Sequence, residues 1–378
     1  MNILIAPNAF KNSLGAAEAA EAIREGLMES KLQCKCYCFP VGDGGDGTAE
    51  LILHHCNGVT LQAEVNDPLG RKINSSFGLI DDDKTAVIEM SNASGLRLLQ
   101  ANELNPLHAN SYGTGELIKH ALEKGVSKII LCIGGSATVD GGAGILQALG
   151  FRFFNKKGEE LKNIPESLVE LDRIEFSETD KRIMLCKIVV LCDVENVLLG
   201  KEGAAYVFGP QKGADPAAII KLEAALTKLR DVVFRQSGKD MALIKQGGAA
   251  GGTAASLAVL LNAELVNGIE HFLSITGFDD FLEKATIVIT GEGCIDMQTL
   301  QGKGPYGVAR RAKKKGLRVI GLAGEISLAS KTSLQQYFDV LLSINHETIE
   351  LSEALKQTRQ NLKQTATIIG KELALQIS

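Results

Sequence analysis

The chain opens with the apolar run Asn-Ile-Leu-Ile-Ala at residues 2–6, which predicts a β-strand that ends at Pro7. Alanine, isoleucine and leucine then recur every three or four residues as far as Leu27, so a helix is predicted after Gly15 at its N-cap. Residues 33–39 predict a second strand. Two strands joined through a helix pair in parallel, and this β-α-β unit therefore predicts a parallel sheet of the α/β class.

The same alternation of strands and helices returns near the end of the chain. Strands are predicted at residues 286–290, 318–322 and 339–344, and a helix at 306–315 follows Pro305, a residue suited to a first helical turn. Because the two ends of the chain share one pattern, we expect them to form one parallel-sheet domain.

The middle of the chain has a different pattern. Three short strands are predicted in succession at residues 60–66, 73–80 and 85–90, which is typical of an antiparallel or mixed sheet. Helices and strands alternate again from residue 114 to residue 261. We expect this part to form a second α/β domain with a mixed sheet.

The domain boundaries follow from this change of pattern. A chain of 378 residues is long for a single hydrophobic core. We predict that residues 1–60 and 275–378 form a discontinuous α/β domain and that residues 61–274 form a second domain inserted into it. The active site is expected in the cleft between them.

The composition argues against several classes of function. A net charge of −5 gives no support for binding to nucleic acid or to an anionic membrane surface. No apolar run approaches the ~20 residues of a membrane-spanning helix, and the sequence begins with a strand instead of a signal peptide. We therefore expect a cytoplasmic protein that binds small molecules. Both a monomer and a homo-oligomer remain open.

The eight cysteines fit the same compartment. Cys34, Cys36 and Cys38 alternate along one predicted strand, so their side chains are expected on one face. Neither paired C-x₂-C spacing nor nearby histidines support a zinc site. Free thiols, buried or half-buried, are the expected state.

Glycine and acidic residues occur together in three segments, at residues 41–48 (Val-Gly-Asp-Gly-Gly-Asp-Gly-Thr), 134–144 and 290–296. Each is expected at or near the end of a strand and before a helix. Glycine lets backbone N–H groups approach a ligand, and a helix N-terminus attracts an anion. Carboxylates in the same loops can hold Mg²⁺ or accept a proton from a hydroxyl group. This combination predicts phosphoryl transfer.

Charged residues also follow several predicted strands. Asp193 comes directly after the apolar run 188–191 and Cys192, and Asp296 follows the strand at 286–290. Lys11 follows the first strand. The carboxyl ends of strands are frequent active-site positions in α/β proteins, so these three residues are the catalytic candidates.

Two of the glycine-rich segments have alternative interpretations that concern local structure. In residues 111–116, Ser-Tyr-Gly-Thr-Gly-Glu, a hydroxyl from Ser111 or Thr114 is suited to cap a helix. The loop at 134–144 could be a tight turn whose glycines serve packing. Asp140 within that loop favours a functional role.

The segment Phe-Gly-Pro-Gln-Lys-Gly at residues 208–213 places Gln211 and Lys212 on a rigid turn. A lysine there is suited to meet phosphate or carboxylate, although a surface turn would have a similar sequence. Residues 247–252, Gly-Gly-Ala-Ala-Gly-Gly, offer only backbone, either as an anion cradle or as a close contact between helices.

Taken in order, these segments resemble the bacterial glycerate kinase family of type 1. The segments that carry the resemblance are residues 6–14, 43–48, 111–116, 134–142, 192–196, 208–213, 248–252 and 290–299. The resemblance extends from residue 3 to beyond residue 320. It implies a flavodoxin-like domain with a second α/β domain inserted into it, and ATP- and Mg²⁺-dependent phosphorylation of D-glycerate, usually at the 2-hydroxyl group.

The chain departs from the usual pattern of that family at several positions. Asn8-Ala9 stands where Asp-Ser is common, and Cys294 stands where arginine is common. Asp46 replaces a common glutamate, and Val139 and Val197 replace asparagine and proline. The changes at Asn8 and Cys294 each remove a charge, so they are expected to bear on substrate preference and efficiency.

Glycerate and ATP together need a base, a metal site and cations. Asp193 is the leading candidate for the base, while Asp296 and Asp43 compete for the role of base or Mg²⁺ ligand. Lys11 and Lys212 are expected to bind phosphate or the substrate carboxylate. The further candidates for binding substrate or phosphate are the loops 134–144 and 248–252 and the residues Asp46, Ser111, Thr114, Gly134, Gly135, Ser136, Asp140, Gln211, Gly251, Glu292 and Lys303.

Two other classes of function remain open at this point. One is a kinase or phosphatase that acts on another small hydroxy acid. The other is a regulator that binds ATP or glycerate without turnover, for which the changes at Asn8 and Cys294 are the only indication.

Overall fold

The computed structural model of the chain describes residues 1–297, 299–327, 331–345 and 350–376. It contains two compact units. The terminal unit consists of Met1–Asp43 and Asn267–Ser378, and the inserted unit consists of Gly44–Val266.

The described residues form strands and helices in alternation, joined by loops and short 3₁₀ turns. The strands are β1 (Asn2–Ile5), β2 (Lys35–Cys38), β3 (Val59–Asn66), β4 (Lys72–Ile80), β5 (Thr85–Glu89), β6 (Lys128–Cys132), β7 (Arg152–Asn155), β8 (Leu171–Glu175), β9 (Lys187–Cys192), β10 (Glu264–Asn267), β11 (Ile287–Ile295), β12 (Arg318–Ile326) and β13 (Val340–Ser343). The helices are α1 (Ala16–Glu29), α2 (Thr48–His55), α3 (Ser91–Ser94), α4 (Tyr112–Glu123), α5 (Ala143–Ala148), α6 (Lys181–Leu185), α7 (Ala204–Phe208), α8 (Pro216–Ser237), α9 (Thr253–Leu260), α10 (Gly268–Ile275), α11 (Phe278–Leu282), α12 (Gly304–Lys314), α13 (Lys331–Leu334) and α14 (Leu351–Leu375).

The units divide earlier in the chain than the sequence pattern placed the boundaries, after residue 43 instead of residue 60 and after residue 266 instead of residue 274. Helix α2 packs against β4 and β5 of the inserted unit, and helix α10 packs against α11 and α12 of the terminal unit. The elements against which each of these two helices packs therefore decide to which unit it belongs.

The sheet of the terminal unit has the strand order β2-β1-β11-β12-β13, and its pairings are parallel. Numbered within the unit, this order is 2-1-3-4-5, which is the flavodoxin-like order. Ile3 pairs with Ile287, so the first strand of the chain lies beside one from its last third. The expected α/β fold, with a flavodoxin-like parallel sheet and a second, mixed sheet, is confirmed.

The core of the terminal unit lies between its sheet and the pair of helices α1 and α14. Ile23 and Leu27 of α1 are buried against Leu362 and Ile369 of α14. Gly26 permits this close approach, since a Cβ atom there would lie 2.2 Å from the carbonyl oxygen of Lys363. Helix α14 is absent from the sequence prediction.

The sheet of the inserted unit has the order β10-β9-β6-β5-β4-β3. Its first three strands in the chain, β3 to β5, are antiparallel, while β5, β6 and β9 are parallel. The strands predicted at residues 60–66, 73–80 and 85–90 agree with β3, β4 and β5 to within one residue. The short strands β7, β8 and β10 are absent from the prediction.

The third glycine-rich segment, residues 290–296, is mostly strand and not the loop that the sequence pattern predicts. Strand β11 continues to Ile295 because it pairs with β12 as far as Ile326. Gly291 belongs to this ladder, where a Cβ atom would lie 2.2 Å from the carbonyl oxygen of Leu322.

All eight cysteines are free thiols, as predicted, but Cys38 and Cys294 are exposed and not buried or half-buried. The sulfur atoms of Cys34 and Cys36 lie 3.7 Å apart, and burial raises the pKa of Cys36 to about 12. Within the part of the chain that the structure describes, no helix has the length and apolar character needed to cross a membrane.

Candidate active site

The first cluster of candidate residues lies in the terminal unit, at the carboxyl ends of β1, β2 and β11. The chain proceeds from β1 to one side of the sheet and from β11 to the other, so the point between these two strands is the topological switch point. Open α/β sheets bind their ligands outside the carboxyl ends of the strands at such a point.

Asp43 is the best-fixed carboxylate of this cluster. Its Oδ2 atom accepts hydrogen bonds from Asn8 Nδ2 at 2.7 Å and from the backbone N–H of Gly304 at 3.2 Å. The second bond comes from the first residue of α12, where a carboxylate gains from the helix dipole. Asn8 therefore has a structural reason for its identity: its amide donates to Asp43, which an ionised aspartate could not do.

Glu292 is 7% exposed, and its carboxyl group is close enough to Asp43 for the two negative charges to interact. Thr299 Oγ1 donates to Glu292 Oε1 at 2.9 Å. Burial raises the pKa of Glu292 to about 7, with a further upward contribution from the negative charge of Asp43. The positive charges of Lys303 and Lys11 lower the pKa of Glu292 and so partly offset these effects. This carboxyl group is therefore poised to exchange a proton near neutral pH.

This raised pKa predicts a pH effect on stability. Between pH 4.5 and about 7, Glu292 holds a proton in the folded state but loses it in the unfolded state. The folded state binds more protons in this window, so stability falls as the pH rises through it, and the loss is complete above it.

We expect the variant Glu292→Gln, which cannot ionise, to lack this loss. Urea unfolding at several pH values should show the variant gaining on the wild type between about pH 5 and pH 8, with a slope of up to about 1.4 kcal/mol per pH unit. Identical pH profiles of the two proteins would contradict the prediction.

Asp296 follows β11 and is half-buried. Its Oδ1 atom accepts the backbone N–H of Thr299 at 3.1 Å, and Thr299 Oγ1 accepts the backbone N–H of Asp296 at the same distance. Cys294 is exposed, with its sulfur 4.0 Å from Asp296 Oδ2. Burial and the neighbouring carboxylates raise the pKa of Cys294, so the thiol is the expected form.

The donor set of this cluster fits a hard cation only with additional ligands. Asp43 and Asp296 offer carboxylate oxygens, the kind of ligand that Mg²⁺ prefers. However, the described residues contain no group of three or more His, Cys, Asp or Glu side chains placed to hold a metal ion. Mg²⁺ would therefore depend on phosphate oxygens of a nucleotide as well as on one or two carboxylates.

The second cluster lies in the inserted unit, at the carboxyl ends of β5, β6 and β9. Asp140 is fully buried there. It accepts hydrogen bonds from the backbone N–H and the hydroxyl of Ser111, at 2.8 and 2.6 Å, and from the backbone N–H groups of Gly142 and Gly144, at 3.0 and 3.1 Å. The N–H groups at the start of α5 thus already bind an internal carboxylate and not an incoming phosphate.

Glu89 binds the backbone N–H groups of the first glycine-rich loop, as Asp140 does for the second. It is not among the candidates predicted from the sequence. It is 3% exposed and accepts hydrogen bonds from Gly47 N at 2.9 Å, Ala49 N at 3.1 Å and Ser91 Oγ at 3.0 Å. Burial raises its pKa. One feature of the sequence would have identified Glu89. It is an acidic residue at the end of a buried strand, β5, and the same kind of position made Asp193 a candidate.

We expect Glu89→Gln to lower the free energy of unfolding by about 1–3 kcal/mol, because its amide NH₂ would face a backbone donor. The control is Glu50→Gln on the exposed face of α2, where the change should stay within about 0.5 kcal/mol. Chemical denaturation followed by circular dichroism measures both. Equal stability of the two variants would show that Glu89 does not brace the loop.

Lys212 is 3% exposed and donates to Ser136 Oγ at 2.8 Å and to the carbonyl oxygen of Thr138 at 2.7 Å. Burial lowers its pKa to about 7, and the negative charge of Asp140 acts in the opposite direction. Gln211, the neighbouring candidate, is exposed.

The remaining candidates of the inserted unit have different surroundings. Thr114 is buried and shares a 2.7 Å hydrogen bond with Ser94. Gly251, with φ = +65°, packs against Thr138, where a Cβ atom would lie 2.1 Å from a carbonyl oxygen. Asp193 is half-buried directly after β9.

Two glycines leave the loop after β6 open to solvent. Gly134 is half-buried and donates its backbone N–H to the carbonyl oxygen of Gly44 at 3.0 Å, whereas Gly135 is exposed. Asp46 is exposed beside Gly135, whose Cβ atom, if present, would lie 2.0 Å from Asp46 Oδ1. The structure therefore brings Gly134, Gly135, Ser136 and Asp46 to one edge of this loop.

Comparison with known proteins identifies the family. The sequence matches the model of the glycerate kinase family over residues 3–374. A glycerate kinase from Halalkalibacterium halodurans is 42% identical over 368 residues, 97% of each chain. A glycerate 2-kinase from Escherichia coli strain K12 is 42% identical over 379 residues, which cover 99% of this chain and 98% of the relative.

A solved structure agrees with the sequence relatives. The crystal structure from Salmonella typhimurium LT2 that carries the name glycerate kinase 2 matches with a TM-score of 0.83 at 42% identity, over 100% of this chain and 99% of that one. Fold and relatives together define an α/β phosphotransferase that acts on an alcohol group. The chain belongs to the glycerate kinase family, as the resemblance of its motifs implies.

Proposed function

We propose that this enzyme transfers the γ-phosphoryl group of ATP to D-glycerate and releases ADP, with 2-phosphoglycerate as the product in preference to 3-phosphoglycerate. The observation that carries the proposal is the grouping of Asp43, Glu292 and Asp296 with Lys11 and Lys303 at the switch point of the terminal sheet. Phosphoryl transfer requires this combination of carboxylates and cations. The name of the E. coli relative favours the 2-hydroxyl group.

The terminal unit is proposed to handle the metal and the phosphates. Asp43 and Asp296 would hold Mg²⁺, which supplies charge neutralisation on the phosphate oxygens when it is bound. Lys11 is exposed and Lys303 is half-buried, so both ammonium groups can reach an anionic ligand. The hydrogen bonds from Asn8 and Gly304 keep the Asp43 carboxylate in one orientation.

The inserted unit is proposed to handle the reacting hydroxyl group. Asp193 accepts its proton, since it is a carboxylate placed at the carboxyl end of a buried strand. Glu89 and Asp140 act through the backbone that they brace, which keeps the two glycine-rich loops fixed around this position. In this assignment Ser111 and Thr114 stabilise the fold and do not contact substrate.

The proposed function is tested by a coupled assay of ADP release with ATP, Mg²⁺ and D-glycerate, followed by phosphorus NMR of the product. We expect turnover that requires both glycerate and Mg²⁺, with the phosphate on the 2-hydroxyl group. Turnover with another hydroxy acid and none with glycerate would favour a different substrate. Binding of ATP or glycerate without any ADP release would favour a regulator of the same fold.

A further inference from the structure

The starting observation is a buried ammonium group that lacks a negatively charged partner. Lys212 donates to a hydroxyl and to a backbone carbonyl, both neutral groups. Among the described residues, no carboxylate oxygen lies within 4.0 Å of its ammonium nitrogen. Asp140, the acidic residue whose field reaches Lys212, is itself bound to Ser111 and to the start of α5. A charged lysine in such a place is costly unless an anion accompanies it.

A second observation concerns a residue that Lys212 contacts. The hydroxyl of Thr138, whose carbonyl oxygen accepts from Lys212, is fully buried and has no hydrogen-bond partner among the described residues. A buried hydroxyl without a partner is uncommon in folded proteins and calls for a physical explanation. Gly135, the residue directly before Ser136, is exposed, so the loop reaches solvent one residue from the Lys212–Ser136 hydrogen bond.

We propose that Lys212 and Ser136 form the binding site for an anionic oxygen group, and that Lys212 takes up a proton when this site is filled. The inference rests on the proposed function, in which the anion is either the carboxylate of glycerate or a phosphate of the nucleotide. Both offer the same chemistry, a negatively charged oxygen that accepts hydrogen bonds from an ammonium group and a hydroxyl.

The proton uptake follows from the surroundings of the lysine. Burial lowers the pKa of Lys212 to about 7, so at pH 8 the amine of the free protein is mostly neutral. A bound anion favours the charged form and raises that pKa. Two more charged groups border the loop. Asp46 lies beside Gly135. Arg97 comes two residues after Gly95, and Gly95 forms a β-bridge with Ser136. Both are exposed and more strongly screened by water.

The test is isothermal titration calorimetry of the full-length protein in two buffers with different ionisation enthalpies. D-glycerate and ADP are titrated separately, so the two sources of the anion are distinguished. At about pH 8 one of the two ligands should bind with uptake of nearly one proton, and at about pH 6 the uptake should approach zero. The variant Lys212→Met should bind that ligand at least about tenfold more weakly and without the uptake. The control Lys201→Met, at an exposed lysine of the same unit, should match the wild type.

Two further variants sharpen the result. Lys212→Arg carries a permanent charge, so any binding it retains should show no proton uptake. Ser136→Ala should bind more weakly but keep the uptake. The proposal is overturned if the wild type shows no uptake with either ligand, if Lys212→Met keeps the uptake, or if neither ligand binds. Absence of ADP release in the kinase assay would reject the proposed function alone, because the calorimetric signal does not depend on turnover.

Discussion

Asp193→Asn is expected to lower kcat by a factor of about 10²–10⁴ while the fold is kept. The substitution preserves the shape of the side chain but removes its ability to accept the hydroxyl proton. The loss corresponds to roughly 3–5 kcal/mol of transition-state stabilisation. The measurement is kcat from the ADP-release assay, together with the Mg²⁺ dependence and the melting temperature of the same variant.

Three outcomes separate the roles that Asp193 could have. A large fall in kcat at every Mg²⁺ concentration supports the base. Partial recovery at high Mg²⁺ would instead make Asp193 a metal ligand, and a lower melting temperature with near-normal kcat would make it a brace of the strand end. Asp296→Asn is the matched comparison, since Asp296 also follows a buried strand. Full activity of Asp193→Asn would transfer the role of base to Asp296 or Glu292.

Asp140→Ala is expected to destabilise the protein by at least about 4 kcal/mol. The change removes the acceptor of four hydrogen bonds in a fully buried place. Each donor left unpaired costs on the order of 1–3 kcal/mol, and the loss of the buried negative charge whose field reaches Lys212 adds to this cost. Urea unfolding monitored by circular dichroism measures the difference.

The matched control is Asp215→Ala. Asp215 is also an aspartate that accepts a backbone N–H group at the start of a helix, but within the described part of the chain its carboxylate accepts one such hydrogen bond, from Ala218 at 2.7 Å. Its loss should cost about 1 kcal/mol. If Asp140→Ala were no less stable than Asp215→Ala and the KM for substrate rose, Asp140 would be a ligand-binding residue, as the sequence pattern alone suggests.

The sequence predicts the fold well because hydrophobic periodicity is strong in this chain. The alternating run at β3 and β4 and the apolar run at β5 have clear limits, and the prediction there agrees to within one residue. The continuation of β11 to Ile295 is missed because its glycines and acidic residues are typical of a loop. Only the pairing with β12, a contact between distant parts of the chain, shows that they belong to a strand.

The candidate residues show a similar limit. Composition and spacing identify Asp43, Asp140 and Lys212 as unusual, but they do not reveal which groups these side chains meet. The same glycine-rich loop that suggests a phosphate cradle is bound by Asp140 from within. Glu89 escapes notice because its partners, Gly47 and Ala49, are about forty residues away in the chain. Hydrogen-bond partners of this kind require coordinates.

The pairing of β1 with β11 also has a consequence for the order of events on the ribosome. Thr290 Oγ1 donates to the carbonyl oxygen of Ala6, a residue 284 positions earlier. The inserted unit is one continuous stretch, Gly44–Val266, so all its strands have emerged while β1 still lacks its neighbour β11. Domains generally fold as units during synthesis. Strand β1 of this kinase is therefore synthesised first but gains its neighbour β11 only after the inserted unit has been made. Until then the nascent chain must keep the unpaired edge of β1 from pairing with other strands.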